Sequence, residues 1–174
     1  MLTQLRRSIA LAAASVLVIL HVLGPGSSLA QQASAVSEDK PFAEAFIILQ
    51  LSDQDPIKQD AVLDIANNLI KHYGSPDLVD IEIAAFGPGM RLLLEGNSRS
   101  QRISSLVENG VRFIGCMNTI DTMERKTGKR PPLNEHTIPV QTGVAHIVER
   151  VRQGYVLRSE ERRGGGVGGG GGGG

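Results

Sequence analysis

The stretch FIILQLSDQDPIKQDAVLDIANNLIKHYG, residues 46–74, decides the fold. Phe46 to Leu51 is a short apolar run of β-type residues, the pattern of a strand buried on both faces. Asp55-Pro56 supplies a helix N-cap followed by proline at the first helical position, where an N–H would have no partner anyway. Val62, Ile65, Ala66, Leu69 and Ile70 then recur at helical spacing and form one apolar stripe. Gly74 provides a left-handed stop. One strand feeding one amphipathic helix is the building unit of an α/β layer.

The unit repeats down the chain. Val79 to Phe86 reads as a second strand ending at Gly87-Pro88-Gly89, and Met90 to Leu94 is ambiguous, with a helical turn as one reading. Ser98 and Gln101 have capping-box spacing ahead of a helix carrying Ile103, Leu106 and Val107, with Gly110 as its stop. Val111 to Gly115 is a third strand, and Asn118 caps a short helix running through Met123. Thr137 to Gln141 is a fourth, where Pro139 calls for a bulge or an edge-like position. Thr142 then caps a helix with Val144, Ile147, Val148 and Val151 turned inward and Gly154 as its stop, and Tyr155 to Leu157 is a last short strand. Alternating strands and helices, with crossovers suited to parallel neighbours, predict a three-layer α/β/α sandwich on a five-stranded, mainly parallel sheet. The strand order is open at this level.

The two ends of the chain differ from this pattern. Arg6-Arg7 precedes an apolar run from Ile9 to Leu23, broken only by Ser15 and His21, and Gly24-Pro25-Gly26 and Ser28-Leu29-Ala30 follow. The run is short for a membrane span and has the layout of a cleaved export signal, so residues 1–30 are expected to be a signal peptide and 31–41 a linker. Residues 42–158 form the domain, and 159–174, glycine apart from Val167 beyond residue 163, form a disordered tail. The expected location is periplasmic or secreted, with no membrane association after cleavage. The chain has 18 Lys+Arg and 18 Asp+Glu, so losing Arg6 and Arg7 leaves a net charge of −2. With no Trp, two Tyr, four Phe and no basic patch, a nucleic-acid partner is not expected.

In open parallel sheets, ligands gather at the carboxyl ends of the strands. That edge collects Ser52 and Asp53, Gly87 and Gly89, Cys116 with Asn118 and Thr119, and the Thr142-Gly143 turn. Cys116 is the single cysteine of a chain that reads as exported, so it has no partner within its own molecule. At a helix N-terminus a thiolate is favoured, which suits a nucleophilic thiol, whereas a buried free cysteine also serves as an inert small hydrophobe. His72 and His136 belong to the opposite edge. His146, in the first turn of the last helix, is on the cysteine's side but off the apolar stripe, as a solvated histidine would be. Four scattered histidines and one cysteine have no metal-ligand spacing. Gly87-Pro88-Gly89 lacks the P-loop lysine and the dinucleotide glycine spacing, so no cofactor is expected and a tight turn is the simpler reading. There is no nucleophile elbow for hydrolysis either.

The 46–74 stretch, VDIEIAAFGPGMRLLL from Val79, GVRFIGCMNTI from Gly110 and IVERVRQGYVLR from Ile147 together resemble the DsrE/DsrF-like family of small sulfur-relay proteins, over residues 42–158. The resemblance implies an α/β/α fold, homo-oligomers such as trimers or hexamers, and a cysteine that carries sulfur as a persulfide between a donor and an acceptor protein. It places that role on Cys116. The characterised relays are cytoplasmic, whereas this chain reads as exported. The alternative is a non-catalytic oligomeric module that binds a small ligand or partner at the Gly87–Gly89 edge.

Overall fold

The computed structural model describes residues 40–159. The expected signal peptide, most of the linker and all but the first residue of the tail lie outside them. Five parallel strands form one sheet: β1 (Ala45–Leu51), β2 (Val79–Ala85), β3 (Arg112–Cys116), β4 (Thr137–Val140) and β5 (Val156–Ser159), in the order β4-β3-β2-β1-β5. Between them run α1 (Pro56–Tyr73), α2 (Ser100–Glu108), α3 (Met117–Thr127) and α4 (Gly143–Arg152). The expected α/β/α sandwich is the observed fold. None of the described helices is long and apolar enough to cross a membrane.

The two faces of the sheet are covered unequally. On one, α1, α2, α3 and the 3-10 helix Gly87–Leu93 bury Val62, Leu63, Ala66, Met90, Leu93, Ile103 and Ile120 against Leu49, Ile81, Ile83 and Phe113. On the other, α4 is the one described helix that lies against Ile48, Ala84 and Ile114, through Ile147. β2, at the centre of the sheet, is buried along its whole length.

Most element boundaries follow the local chemistry. Asp55 caps α1 by accepting the Ile57 N–H at 2.9 Å, and Gly74 ends it at φ +82°. Within α1, Val62, Ala66, Leu69 and Ile70 of the expected stripe pack on the core, joined by Gln59 and Leu63, and Ile65 alone of the five is exposed. The expected Ser98–Gln101 capping box does not form. Asn97 opens α2 instead, its side chain accepting the Arg99 N–H at 2.8 Å while its carbonyl accepts the Ser100 N–H at 3.0 Å. Pro139 is tolerated because β4 is an edge strand. The largest departure is α4, where only Ile147 of the four expected inward residues is buried; Val144, Val148 and Val151 are exposed. A single helix turns only one side to the sheet it covers, and these three valines lie on another.

Candidate functional site at the end of the third strand

Cys116 is the last residue of β3 and the N-cap of α3, two positions before Asn118, the cap expected from sequence. α3 leaves β3 toward one face of the sheet, and α4 leaves the neighbouring β4 toward the other. The carboxyl ends of β3 and β4 therefore flank a topological switch point, the place where ligands gather in open parallel sheets. Both helix N-termini meet there. Helix starts carry N–H groups without intrahelical partners and a partial positive charge, so the sulfur lies in a field that favours its anion.

The contacts bear this out. Burial alone would push the Cys116 thiol up, since the side chain is only 6% exposed. Hydrogen bonds from the Gly143 N–H, the Thr119 hydroxyl, and the Thr119 and Asn118 N–H groups outweigh that, and the thiol sits below its ordinary value. In the neutral form the S–H donates a long 3.8 Å contact to the Gln141 carbonyl. Gly143 is closely hemmed in. A Cβ there would stand 3.1 Å from the Cys116 Cβ and 3.4 Å from the Phe86 Cβ. The side chains around the sulfur hold one another in place. The Gly87 N–H donates to Thr119 Oγ1 at 2.9 Å, Asn118 Nδ2 donates to Thr142 Oγ1 at 3.0 Å, and Gln141 Nε2 donates to Asn118 Oδ1 at 2.6 Å.

The other residues expected at this edge divide. Gly87, Asn118 and Thr119 belong to the surroundings of Cys116. Gly89 does not present an N–H to a ligand; its N–H donates to the Phe86 carbonyl, and a Cβ would fall 2.2 Å from the Leu51 carbonyl oxygen. It is glycine so that the turn can lie on the end of β1. Asp53 accepts the Asp55 N–H and pairs with Lys58, bracing the start of α1, and Ser52 has only its carbonyl near Gly87.

His146 is not a solvated surface residue. Its Nε2 lies 2.6 Å from Glu82 Oε2, and its side chain is 18% exposed. It belongs to a second cluster under α4, which sequence reasoning missed. Arg112 bridges Asp80, at 2.9 and 3.0 Å, and Glu82, at 3.0 Å; Arg150 reaches Glu82 at 2.8 Å; the Tyr155 hydroxyl donates to Asp80 at 2.6 Å. Arg150 also lies over the Tyr155 ring, 5.3 Å from its centroid. Asp80 and Glu82 are fully buried. Desolvation would push the Glu82 carboxyl up, but the His146 hydrogen bond and the charges of Arg112, Arg150 and His146 prevail and hold it below the ordinary range. Arg112 is shifted the other way: despite burial, Asp80 and Glu82 hold it more firmly protonated. The signal in the sequence was VDIEI itself. Two acids two residues apart in a central strand share one face and demand cations from their neighbours.

Neither a protein-family model nor a curated protein matches this chain. Among solved structures, it is similar to a protein of unknown function from Methanobacterium thermoautotrophicum, with 26% sequence identity and a TM-score of 0.59, over 67% of this chain and 99% of that one. The likeness extends the fold to a second protein and brings no activity with it.

Proposed function

We propose that this chain is a sulfur carrier in which Cys116 is the nucleophile, working outside the cytoplasm, in the periplasm or as a secreted protein. The observation that supports the reading is the place of Cys116: a lone thiol at the switch point of the sheet, with the N-termini of α3 and α4 aimed at its sulfur. In the loading step the Cys116 thiolate attacks the outer sulfur of a donor persulfide, R–S–SH. A Cys116 S–S bond forms, the donor S–S bond breaks, and R–S⁻ leaves and takes up a proton from solvent. In unloading, an acceptor thiolate attacks the outer sulfur and Cys116 departs as thiolate. Both steps exchange one S–S bond for another, so no external oxidant or reductant is needed. The same N–H groups that favour the attacking thiolate favour it as the leaving group.

A second reading keeps the fold and discards the chemistry: a binding module in which Cys116 is packed and inert. Its low exposure favours that reading. Incubating the native protein with inorganic polysulfide and weighing it intact separates the two. The carrier gains the mass of one sulfur atom, lost again on adding a small thiol, and Cys116→Ala gains none. An unchanged native mass, with sulfur uptake only after denaturation, supports the inert module.

A further inference from the structure

Cys116 and the buried acid cluster are tied to the two ends of one helix. β3 places Arg112, Ile114 and Cys116 at alternate positions, and alternate residues of a strand share a face. α4 meets them in three rungs. At its start, Gly143 packs on Cys116, whose sulfur lies 3.7 Å from where a Gly143 Cβ would stand. One turn on, Ile147 joins Ile114 in the same buried cluster. At the far end, Arg150 reaches Glu82 at 2.8 Å, and Glu82 pairs with Arg112 across the β2–β3 register. The lengths match, since four strand steps span about 13 Å and seven helical steps about 11 Å.

Apolar packing alone does not fix α4 at that station. Ile147 is its one buried large side chain, since Val144, Val148 and Val151 are exposed. A single apolar contact leaves a helix free to slide and tilt. Glu82 supplies the grip. Its Oε2 lies 2.6 Å from His146 Nε2 and its Oε1 2.8 Å from Arg150, so one carboxylate holds two side chains a turn apart, at i and i+4. Glu82 cannot follow a moving helix. It is fully buried in the central strand, and Arg112 donates to its Oε1 through two nitrogens, at 3.1 and 3.0 Å. The neighbouring acid Asp80 is engaged by Arg112 and Tyr155 through hydrogen bonds and by Lys40 through its charge.

We propose that Glu82 is a positioning residue for the thiol: its grip on His146 and Arg150 fixes α4 along the sheet and thereby holds the Gly143 N–H at the Cys116 sulfur. N–H groups at a helix start point along the axis, so a slide or tilt of α4 carries this one toward or away from the sulfur. Glu82 itself touches neither the sulfur nor a donor. Its effect on function rests on the sulfur-carrier reading; the positioning itself does not. Direct electrostatics predict the opposite sign. Glu82 is an anion, and removing an anion favours a thiolate, whereas releasing α4 makes the thiolate harder to form.

Iodoacetamide alkylation of the folded full chain against pH reads the difference, comparing wild type, Glu82→Gln and Arg99→Met. Arg99 pairs with Asp60 between α2 and α1, so its loss removes an ion pair away from α4. E82Q is expected to slow alkylation at neutral pH by roughly threefold or more and to raise the midpoint of the profile to match. R99M is expected to keep the wild-type profile. If E82Q does not fold, His146→Leu takes its place with the same expectation, and His146→Gln, which keeps an N–H donor near the Nε2 position, is expected to recover the wild-type profile. An unchanged or lowered midpoint in the folded variant, or the same rise in R99M, would overturn the proposal and leave the carrier reading standing. A midpoint that moves as expected in a protein that gains no sulfur from polysulfide would uphold the positioning and sink the carrier. A wild-type thiol that reacts only after unfolding would overturn both.

Discussion

The N–H of Gly87 donates to Thr119 Oγ1 at 2.9 Å, and the Thr119 hydroxyl is among the groups that hold the Cys116 thiol below its ordinary value. With its oxygen already accepting from the turn after β2, Thr119 has its proton free for the thiolate. The relationship ties three strand ends into one site: β2 through Gly87, β3 through Cys116, and β4 through Gly143.

Thr119→Val removes that donor while keeping the shape. The thiol is expected to rise toward its ordinary value, and alkylation at neutral pH to slow, because a smaller fraction is thiolate. The Gly87 N–H loses its acceptor, which costs about 1–3 kcal/mol. Thr119→Ser restores the hydroxyl and is expected to recover most of the rate. Alkylation rates against pH for the three proteins decide the matter; equal profiles would remove Thr119 from the account.

Gly143→Ala places a methyl group against Cys116 and Phe86 at distances that force one of them to move. Overpacking of this kind costs about 1–3 kcal/mol. The Gly143 N–H also retreats from the sulfur, so the thiol is expected to rise as stability falls. Thermal unfolding and thiol titration of the same variant check both effects.

Arg112→Met tests the cluster under α4. Asp80 and Glu82 would keep their burial and lose the cation that bridges them, and breaking such a pair costs about 3–5 kcal/mol. Denaturant unfolding at neutral pH is the measurement. A loss below about 1 kcal/mol, the level of an exposed ion pair, would contradict the structure.

The same cluster predicts a loss of stability in acid. Glu82 is held below its ordinary value in the folded protein, so the unfolded chain binds its proton first as pH falls. Its contribution is fully present above the ordinary glutamate value of about 4.3 and disappears as pH drops through the lower folded value. Urea midpoints measured across that window are expected to fall with pH, and to fall less steeply in Glu82→Gln.

What could be read from the sequence was whatever local chemistry dictates. The β1–α1 unit announced itself through the Asp55-Pro56 cap and the Gly74 stop, and Pro139 marked an edge strand before any strand order was known. Cys116 was placed at the carboxyl edge by counting elements. That β3 and β4 flank the switch point depends on which face each following helix takes, which is a property of the assembled sheet. Gly143 became part of the site only through a contact spanning 27 positions of sequence. The Asp80–Glu82–Arg112 cluster was missed for the same reason: a buried acid in a strand is legible only with its cross-strand cation, and Arg112 reaches Glu82 through the β2–β3 register. The α4 valines were assigned inward because apolar spacing marks a stripe without saying what covers it.

The central claim is that Cys116 is a stabilised, reactive thiolate rather than a packed hydrophobe. Iodoacetamide alkylation of the native protein as a function of pH tests it most directly. The account predicts modification of folded protein at Cys116, with a midpoint below that of a free cysteine. A thiol that reacts only after unfolding, or that titrates at or above the free value, would contradict it.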